Sequence, residues 1–544
     1  MSHLSRGARA ASVIILAVLA LAGCTATPAT DAGTTQPTAA VGGDAHVALY
    51  QQPAGFNTFK PGIGGDQLIE SLHFDTLIGW NLEKSDYEGR LAESWEMSPD
   101  GTTLTFDLIP GLSWSDGEPF TADDVVFTYN LHANPATASS TAGFLSNVVG
   151  IDEVKAGTAD TLSGVVAEDE DTVSFTLKEP DATFIGNFIP GAFNFGWILP
   201  QHALEGMDPA GFAENPWFRE PTAGMGPYVF SKWVSDSQLE FVKNPHFRTA
   251  LKLDRVFASV LTSDVAAAQL QTGELDLTNV PAVDVETVRG IPGVTVDSIA
   301  GAGVLGLHTA MATHPELANP LVRQAMMYAI DRQAIIDEVF HGEGTVVNVL
   351  AHGPEWAVPK DLETYAYNPE KAKKLLAEAK WDASQEVTLE IVPGQKDRDL
   401  TLDIVAAQLQ EVGMNAVVRQ LDAAGQSAAI AAGDFDFLIS GYGNFVTDPS
   451  SMNIRLMCGV ATNIQGYCNP ELDTLLTEGM RATDQTERAA IYAKAQKIVN
   501  TDVPVILLSS PNVIYGFSEK LQGYEPRRLL TDMFYSAPDW ALAG

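Results

Sequence analysis

The spacing of apolar residues changes near residue 310, and this change constrains the fold more than any other feature of the chain. Upstream, Thr103 to Leu108 alternates apolar and polar residues, and Asp171 to Lys178 repeats the alternation, as half-buried antiparallel strands do. Downstream, strand-like residues 387–391 and 416–421 enclose a helical pattern at 400–412. A β-α-β unit of this kind implies parallel pairing and a right-handed crossover. We therefore predict an α/β fold with two lobes of different character.

The length of the chain agrees with two lobes. It has 544 residues, of which 45% are hydrophobic, and single hydrophobic cores stop growing near about 250 to 300 residues. Asn368 and Pro369 are typical of a helix start, as N-cap and first helical residue. The chain can therefore bury more than one sizeable core.

The charge balance excludes several classes of partner and cofactor. The chain has 32 Lys and Arg against 69 Asp and Glu, a formal net charge of -37, and no basic stripe is evident. Such a surface repels phosphate backbones, so we expect no nucleic-acid partner. Three cysteines without a C-x-x-C pair exclude a disulfide scaffold and a structural zinc site of that type. We predict no metal and no cofactor.

The N-terminus is typical of an export signal. Arg6 and Arg9 precede an apolar stretch, Ala10 to Leu21, that is too short to span a bilayer comfortably. It ends in Leu-Ala-Gly-Cys24, which resembles the bacterial lipobox, where the cysteine carries the lipid. We predict a signal peptide at 1–23 and a lipid-anchored flexible tether at 24–43. The alternative is a fortuitous cysteine beside an ordinary signal peptidase site.

Enzyme motifs have weak support in this sequence. Gly301 to Gly306 fits G-x-G-x-x-G, but no helix pattern opens at its last glycine, so a crossover strand is the better interpretation. Asp123 and Asp124 are neighbours that point about 100° apart on a helix, and a helix N-terminus explains them. No metalloprotease, P-loop or G-x-S-x-G motif occurs. We predict no catalytic residue and no enzyme activity.

Several segments resemble one protein family in the same order. Leu91 to Asn130 looks like the signature of the family 5 extracellular solute-binding proteins, the dipeptide and oligopeptide binders of ABC importers. Further segments that are similar to the family are Gly224 to Trp233, Asn319 to Phe340, Tyr367 to Trp381, Gly433 to Pro449 and Asn469 to Leu476. Together they extend over nearly all of residues 45–544.

The resemblance implies a two-lobe periplasmic-binding-protein clamp, class II-like and of the large family 5 type. The first lobe would take 44–305 plus 505–544, with an inserted subdomain at about 81–219, and the second lobe 306–504. Ligand would bind between the lobes and stabilise the closed form. The closed clamp, expected to be a monomer, would dock on a membrane permease whose partner ATPase drives import. Localisation would be the extracytoplasmic face of the cell membrane.

Cys458 and Cys468 remain after Cys24 is assigned to the lipid. In an exported protein, two cysteines ten residues apart with small and polar residues between them favour a disulfide that closes a loop. Peptide-binding members of the family that this chain resembles also have a bridged loop there. Two free thiols are the alternative.

The ligand is less constrained than the fold. In the peptide binders that this chain resembles, an aspartate three residues before an Asp-Pro pair binds the peptide's α-ammonium, and counting back from Asp448 places Phe445 there. The alternative is that a shift of one or two residues in the fold restores the charge partner through Asp448. His308 stands where relatives have an asparagine. The candidate ligand-binding residues are Tyr442, Asn444, Phe445, Asp448, Trp356 and His308.

Two classes of function follow from these observations. The leading hypothesis is a lipid-anchored binding component that captures peptides for an ABC importer. Phe445 leaves open the same role for an oligosaccharide, a nickel complex or another small solute, because aromatic faces pack on apolar patches and on cations. A surface-attached hydrolase would need a nucleophile or a carboxylate pair that the sequence does not assemble.

Overall fold

The computed structural model describes residues 42–543 except 61–63, 82–83, 85, 190–194, 236, 443–447 and 461, and only the backbone of Ala213, Ala423 and Tyr442. The predicted signal peptide, Cys24, nearly all of the tether, Asn444 and Phe445 therefore lie outside the described residues. Within the described ranges, no helix combines the length and the apolar character needed to cross a membrane.

The strands of the described residues are numbered in chain order. They are β1 (Asp44–Leu49), β2 (Ile78–Asn81), β3 (Asp86–Gly89), β4 (Ala92–Met97), β5 (Thr103–Leu108), β6 (Val165–Ala167), β7 (Thr172–Thr176), β8 (Tyr228–Ser235), β9 (Gln238–Lys243), β10 (Arg255–Val260), β11 (Leu277–Asn279), β12 (Val294–Ile299), β13 (Val304–Thr309), β14 (Gly344–Thr345), β15 (Glu386–Ile391), β16 (Asn415–Gln420), β17 (Phe437–Tyr442), β18 (Val505–Pro511), β19 (Val513–Ser518), β20 (Leu521–Gln522) and β21 (Ala541–Leu542).

The α-helices are numbered in the same way. They are α1 (Gly64–His73), α2 (Ala122–Ala133), α3 (Ile151–Lys155), α4 (Gln201–Leu204), α5 (Ser263–Thr272), α6 (Val285–Arg289), α7 (Pro320–Ala329), α8 (Arg332–Glu338), α9 (Pro369–Glu378), α10 (Lys396–Glu411), α11 (Ala423–Ala432), α12 (Asn453–Leu456), α13 (Pro470–Arg481) and α14 (Gln485–Asp502). Short 3-10 helices also occur, among them Ala282–Asp284, Glu355–Ala357 and Pro449–Met452.

Two large sheets organise these elements. The seven-stranded sheet has the order β12-β19-β11-β1-β10-β9-β8, and the six-stranded sheet has the order β14-β18-β13-β17-β15-β16. A four-stranded sheet, β4-β5-β7-β6, is inserted between β1 and β8 along the chain. We call the part built on the seven- and four-stranded sheets the first lobe and the part built on the six-stranded sheet the second lobe. The predicted α/β clamp is confirmed.

Along the strands that the structure describes, the chain passes between the two large sheets at two places. One passage joins β12 to β13 at residues 299–304, and the other joins β18 to β19 at residues 511–513. β18 pairs with β13 in the six-stranded sheet, so by strand membership the second passage comes after Pro511, later than the predicted lobe boundary at 505. Gly301 to Gly306 runs into β13 and not into a helix.

Local sequence signals explain the second lobe well. β15 and β16 pair in parallel from Glu386 with Asn415 to Ile391 with Gln420, and α10 is the crossover between them. Asn368 caps α9 by accepting a hydrogen bond from the Lys371 N–H. These features match the β-α-β unit and the helix start that the pattern of residues predicts.

The first lobe has two cores of its own. One lies on the seven-stranded sheet and includes Val47, Leu239 and Tyr515. The other fills the subdomain around β4–β7 and is rich in aromatic residues such as Phe106 and Phe175, which meet at 6.1 Å in an edge-to-face arrangement. Asp124 is buried and accepts hydrogen bonds from Thr121 N–H and the Trp114 indole, whereas Asp123 is exposed. The two carboxylates therefore do not form an acid and base pair.

Candidate functional site

The carboxyl ends of several strands meet where the two lobes face each other. In open α/β sheets, ligands bind outside the carboxyl ends of the strands. β15 and β17 are parallel, so the start of α10 and the end of β17 at Tyr442 lie at the same edge of the six-stranded sheet. In the first lobe, Tyr50 follows β1, which is parallel to β10 and β11. The candidate site lies between these ends.

Arg398, in the first turn of α10, is a cation at this edge. Its charge interacts with the Tyr50 hydroxyl of the first lobe, and its Nη2 lies 2.9 Å from where a side chain at Gly441 would begin. Glycine at position 441 therefore leaves the space that the guanidinium occupies. Burial lowers the pKa of Arg398, and Tyr50 and Asp399 offset only part of this effect. Burial also raises the pKa of Tyr50 to about 12, so the phenol is neutral near pH 7.

A second arginine, Arg488 on α14, is paired inside the protein. Its Nη2 donates to Asp448 Oδ1 at 2.8 Å, and its Nη1 lies 2.8 Å from Oδ2. The two side chains are only 10% and 18% exposed. The guanidinium also lies 5.4 Å from the ring centres of Trp356 and Tyr492. Burial disfavours the cation, but Asp448 outweighs it, so the pKa of Arg488 is raised.

The subdomain of the first lobe faces this pair. The Ala182 N–H donates to the Met480 carbonyl on α13 at 2.9 Å, which is a direct hydrogen bond between the lobes. Burial, and then the charge of Asp448, raise the pKa of Tyr87 on β3. Burial raises the pKa of Asp181; the charge of Asp448 raises it further, and the charge of Arg488 lowers it. The structure therefore brings Asp448 and Trp356 together at the face of the second lobe that meets the subdomain.

His308 has different surroundings. It lies in β13, is 4% exposed, and has Leu438 of β17 as its cross-strand partner. Burial lowers the pKa of His308 to about 3, with a further contribution from Arg455, and Gln465 hydrogen-bonds the ring. The imidazole is therefore neutral near pH 7. The backbone of Tyr442 ends β17, four residues along the strand from Leu438.

A disulfide shapes the loop beside His308. The sulfurs of Cys458 and Cys468 are 2.09 Å apart. The Gln465 carbonyl accepts a hydrogen bond from Met311 N–H at 2.9 Å, and Gly466 packs so closely on Ala312 that a Cβ there would lie 2.4 Å from the alanine methyl. The bridged loop therefore packs against, and is hydrogen-bonded to, the residues that follow β13.

Sequence reasoning did not single out Arg398 or Arg488. Arg398 had a weak signal, because it lies between the predicted strand at 387–391 and the predicted helix at 400–412, where the carboxyl end of a parallel strand is followed by its crossover. Arg488 had none, because its partner Asp448 is 40 residues away along the chain. Tyr50 and Tyr87 were missed for the same reason.

The chain is similar to known proteins in sequence and in structure. A sequence model of bacterial extracellular solute-binding proteins, family 5 Middle, matches residues 86–462. An ABC transporter peptide-binding protein of Brucella ovis is 30% identical over 490 residues, which cover 87% of this chain and 88% of the relative. The heme-binding protein A of Haemophilus influenzae is 28% identical over 489 residues, 85% of this chain and 86% of the relative.

The oligopeptide-binding protein AppA of Bacillus subtilis is similar both in sequence and in structure. It is 27% identical over 532 residues, which cover 92% of each chain. Its structure in complex with a nonapeptide superposes with a TM-score of 0.81 at 25% identity, covering 93% of this chain and all of AppA. These relatives are solute-binding proteins and not enzymes.

Proposed function

This chain belongs to the bacterial extracellular solute-binding proteins of family 5, and from this we propose that it captures peptides between its two lobes for an ABC importer. Relatives that are named peptide-binding proteins align with most of its length. The single observation that carries the proposal is the position of Arg398 in the first turn of α10. It supplies a half-buried cation at the carboxyl ends of the strands, where a peptide's terminal carboxylate would dock.

The mechanism is differential binding. The two passages, residues 299–304 and 511–513, connect the lobes and act as the hinge. A ligand that touches both lobes binds the closed form better, and it shifts the population only as far as that difference in affinity. Arg398 gives specificity for an anionic group because an ammonium at the same position would leave two cations together in a low dielectric. The closed form then docks on the permease.

Peptide binders of the family use a carboxylate to bind the ammonium end of a peptide, and this chain has no carboxylate at the corresponding sequence position. Phe445 occupies that position in the sequence, and Asp448 already gives both oxygens to Arg488. We infer that recognition rests on the carboxylate end and on packing. Trp356, Tyr442, Asn444, Phe445 and His308 are proposed to shape the remaining pocket.

A thermal-shift screen tests this proposal. The panel contains di-, tri- and oligopeptides, the same peptides with amidated C-termini, and a sugar set. A ligand at 100 times its dissociation constant adds about 2.7 kcal/mol to stability. We expect free peptides to raise the melting temperature and their amides to raise it much less. A chain that responds to sugars and to no peptide would contradict the peptide proposal.

A non-peptide solute is the second candidate. It is favoured by Phe445 at the usual acidic position and by the similarity to a heme-binding protein. Adding haem and a nickel–histidine complex to the screen tests this class directly. A shift with either one, absent with peptides, would support it.

We also propose that Cys24 carries a lipid that holds the body at the outer face of the membrane. The lipobox-like Leu-Ala-Gly-Cys24 and the low-complexity tether support this. The experiment is fractionation of cells expressing the native chain or Cys24→Ser. We expect the native chain in the membrane fraction and the variant in the soluble extracytoplasmic fraction; equal distribution would contradict the anchor.

A further inference from the structure

Consecutive residues at the start of α10 reach across to the first lobe. Lys396, Asp397 and Arg398 follow β15 of the six-stranded sheet. Their partners belong to segments between β10 and β12 of the seven-stranded sheet, or follow β1. The charge of Arg398 interacts with Tyr50 of the first lobe. The other two make direct polar contacts.

Asp397 holds the backbone of the first lobe. Its Oδ2 accepts a hydrogen bond from Ala282 N–H at 3.0 Å, and its Oδ1 accepts one from Val283 N–H at 3.4 Å. Burial raises the pKa of the carboxyl group, and the two N–H groups oppose this by stabilising the anion. Both N–H groups start a 3-10 helix whose first donors have no partner within the helix.

Lys396 adds two ion pairs to the same segment. Its Nζ lies 3.0 Å from Asp264 Oδ1 on α5 and 3.0 Å from Asp284 Oδ2. The lysine side chain is 41% exposed, so these pairs are screened and individually weak. Asp397 is the principal contact, and Lys396 reinforces it.

We propose that Lys396 and Asp397 form an interlobe clasp that holds the lobes at the angle seen here before any ligand arrives. Asp397 is a positioning residue, because it sets the pose of α10 and hence of Arg398, the next residue. The role in ligand affinity rests on the proposed function. The clasp itself is a property of the ligand-free protein.

The clasp would set affinity through the closed population. A ligand's apparent affinity is its intrinsic affinity multiplied by the fraction of molecules in the competent form. Losing a charge-assisted hydrogen bond changes an equilibrium constant by roughly tenfold. Weakening the clasp therefore lowers affinity even though neither residue needs to touch the ligand.

Hydrogen exchange measured by mass spectrometry on the full, ligand-free chain tests the clasp. Two amides are followed in Asp397→Asn: Val283, next to the substitution, and Ala182, whose N–H bonds the Met480 carbonyl at the far contact between the lobes. We expect exchange at both sites to accelerate by at least about fivefold, since a charge-assisted contact is lost. Asp403→Asn, which removes the same charge from an exposed position on α10, should change neither.

Faster exchange at Val283 with an unchanged Ala182 would overturn the proposal, because Asp397 would then be a local cap only. Lys396→Met is the milder second variant and should move Ala182 in the same direction by a smaller factor. Equal melting temperatures of the variants and the native chain show that the lobes themselves stay folded.

Affinity separates this proposal from the proposed function. If a peptide binds the native chain, Asp397→Asn should weaken its binding by the factor by which the closed fraction falls, and an unchanged affinity in a variant that has lost the protection at Ala182 would overturn the role in binding. If no peptide binds, the peptide proposal fails, while the exchange at Ala182 still decides whether the clasp exists.

Discussion

Two arginines of the second lobe occupy the surface that faces the first lobe, and they differ in their partners. Arg488 holds Asp448 through both carboxylate oxygens and packs near two aromatic rings. Among the residues that the structure describes, Arg398 has no carboxylate within salt-bridge distance, and its nearest charge-sensitive neighbour in the first lobe is the neutral Tyr50. Within the described part of the chain, the fold pairs one cation with a carboxylate and leaves the other without one.

We interpret this difference as a division of roles, in which Arg488 serves the stability of the fold and Arg398 serves ligand binding. Placing a cation in a poorly hydrated position costs free energy unless a partner compensates. Arg488 has its raised pKa because Asp448 compensates for burial, whereas the lowered pKa of Arg398 shows that burial dominates there. We propose that the partner of this cation is an anionic group that arrives with the ligand.

Arg488→Met should have the largest effect on stability. It leaves Asp448 in a mostly buried position without its cation, and breaking such a pair costs about 3 kcal/mol. The measurement is urea unfolding at pH 7. We expect the free energy of unfolding to fall by about that amount, with the slope against urea unchanged.

Two controls sharpen this prediction. The double variant Arg488→Met with Asp448→Asn should recover part of the loss, because no unpaired charge remains. Lys497→Met on the same helix removes an exposed pair with Asp361 and should change stability by no more than about 0.5 kcal/mol. A loss as large at Lys497 would mean that helix propensity, and not the pair, is being measured.

Arg398→Met should show the opposite pattern. Peptide affinity should fall by roughly 10- to 100-fold, the range for a charged hydrogen bond, while the free energy of unfolding stays the same or rises. Isothermal titration calorimetry with a free peptide and its C-terminal amide measures the effect. The amide should bind the native chain weakly and lose little more in the variant.

The affinities of the free peptide and its amide for the native chain and for Arg398→Met together identify the end of the ligand that Arg398 contacts. Equal losses for the acid and the amide would show that Arg398 acts elsewhere, and the assignment of the carboxylate site would fail. Arg398→Lys keeps the charge without the planar fork, so an intermediate affinity is expected.

The fold could be read from the sequence because its signals are local. The alternation at Thr103 to Leu108 and the β15-α10-β16 unit depend on residues close in the chain, and the structure has both. The passage after Pro511 was less accessible, since Val505–Pro511 reads as a strand without saying which sheet it joins.

The candidate site was harder to predict because it depends on contacts between distant segments. Asp448 was chosen by its place before Pro449, yet its partner Arg488 comes from another helix. The surroundings of Arg398 are formed by Tyr50 of the first lobe and by the space that Gly441 leaves for the guanidinium. The place of Arg398 after a predicted strand is visible in the sequence, but these two contacts with distant residues are not.

The same comparison extends to two carboxyl groups of the first lobe. Asp75 is fully buried and pairs with both Arg90 and Arg248; burial raises its pKa, but the two arginines outweigh it and hold the pKa below its usual value. Glu70 on α1 is also fully buried, and within the described ranges neither of its oxygens has a hydrogen-bond partner in normal geometry. Burial, and then Asp66, raise its pKa well above 4.5.

Glu70→Gln should have the smallest effect, and its signature is a dependence on pH. The folded chain keeps the Glu70 proton that the unfolded chain releases near 4.5, so the contribution of Glu70 to stability is full below that pH and falls as pH rises toward the folded pKa. Relative to Glu70→Gln, the native chain should therefore be less stable at pH 8 than at pH 5. Urea unfolding at both values measures this difference, in which other groups cancel.

Asp75 gives the opposite sign and completes the test. Because its folded pKa is lowered, its stabilisation is present above about 3.8 and is lost as pH falls below that value. Between pH 5 and pH 8 the native chain should keep a constant advantage over Asp75→Asn. If the difference between the native chain and Glu70→Gln is flat from pH 5 to pH 8, Glu70 has a partner that holds its charge, and the contrast between satisfied and unsatisfied groups does not extend to this lobe.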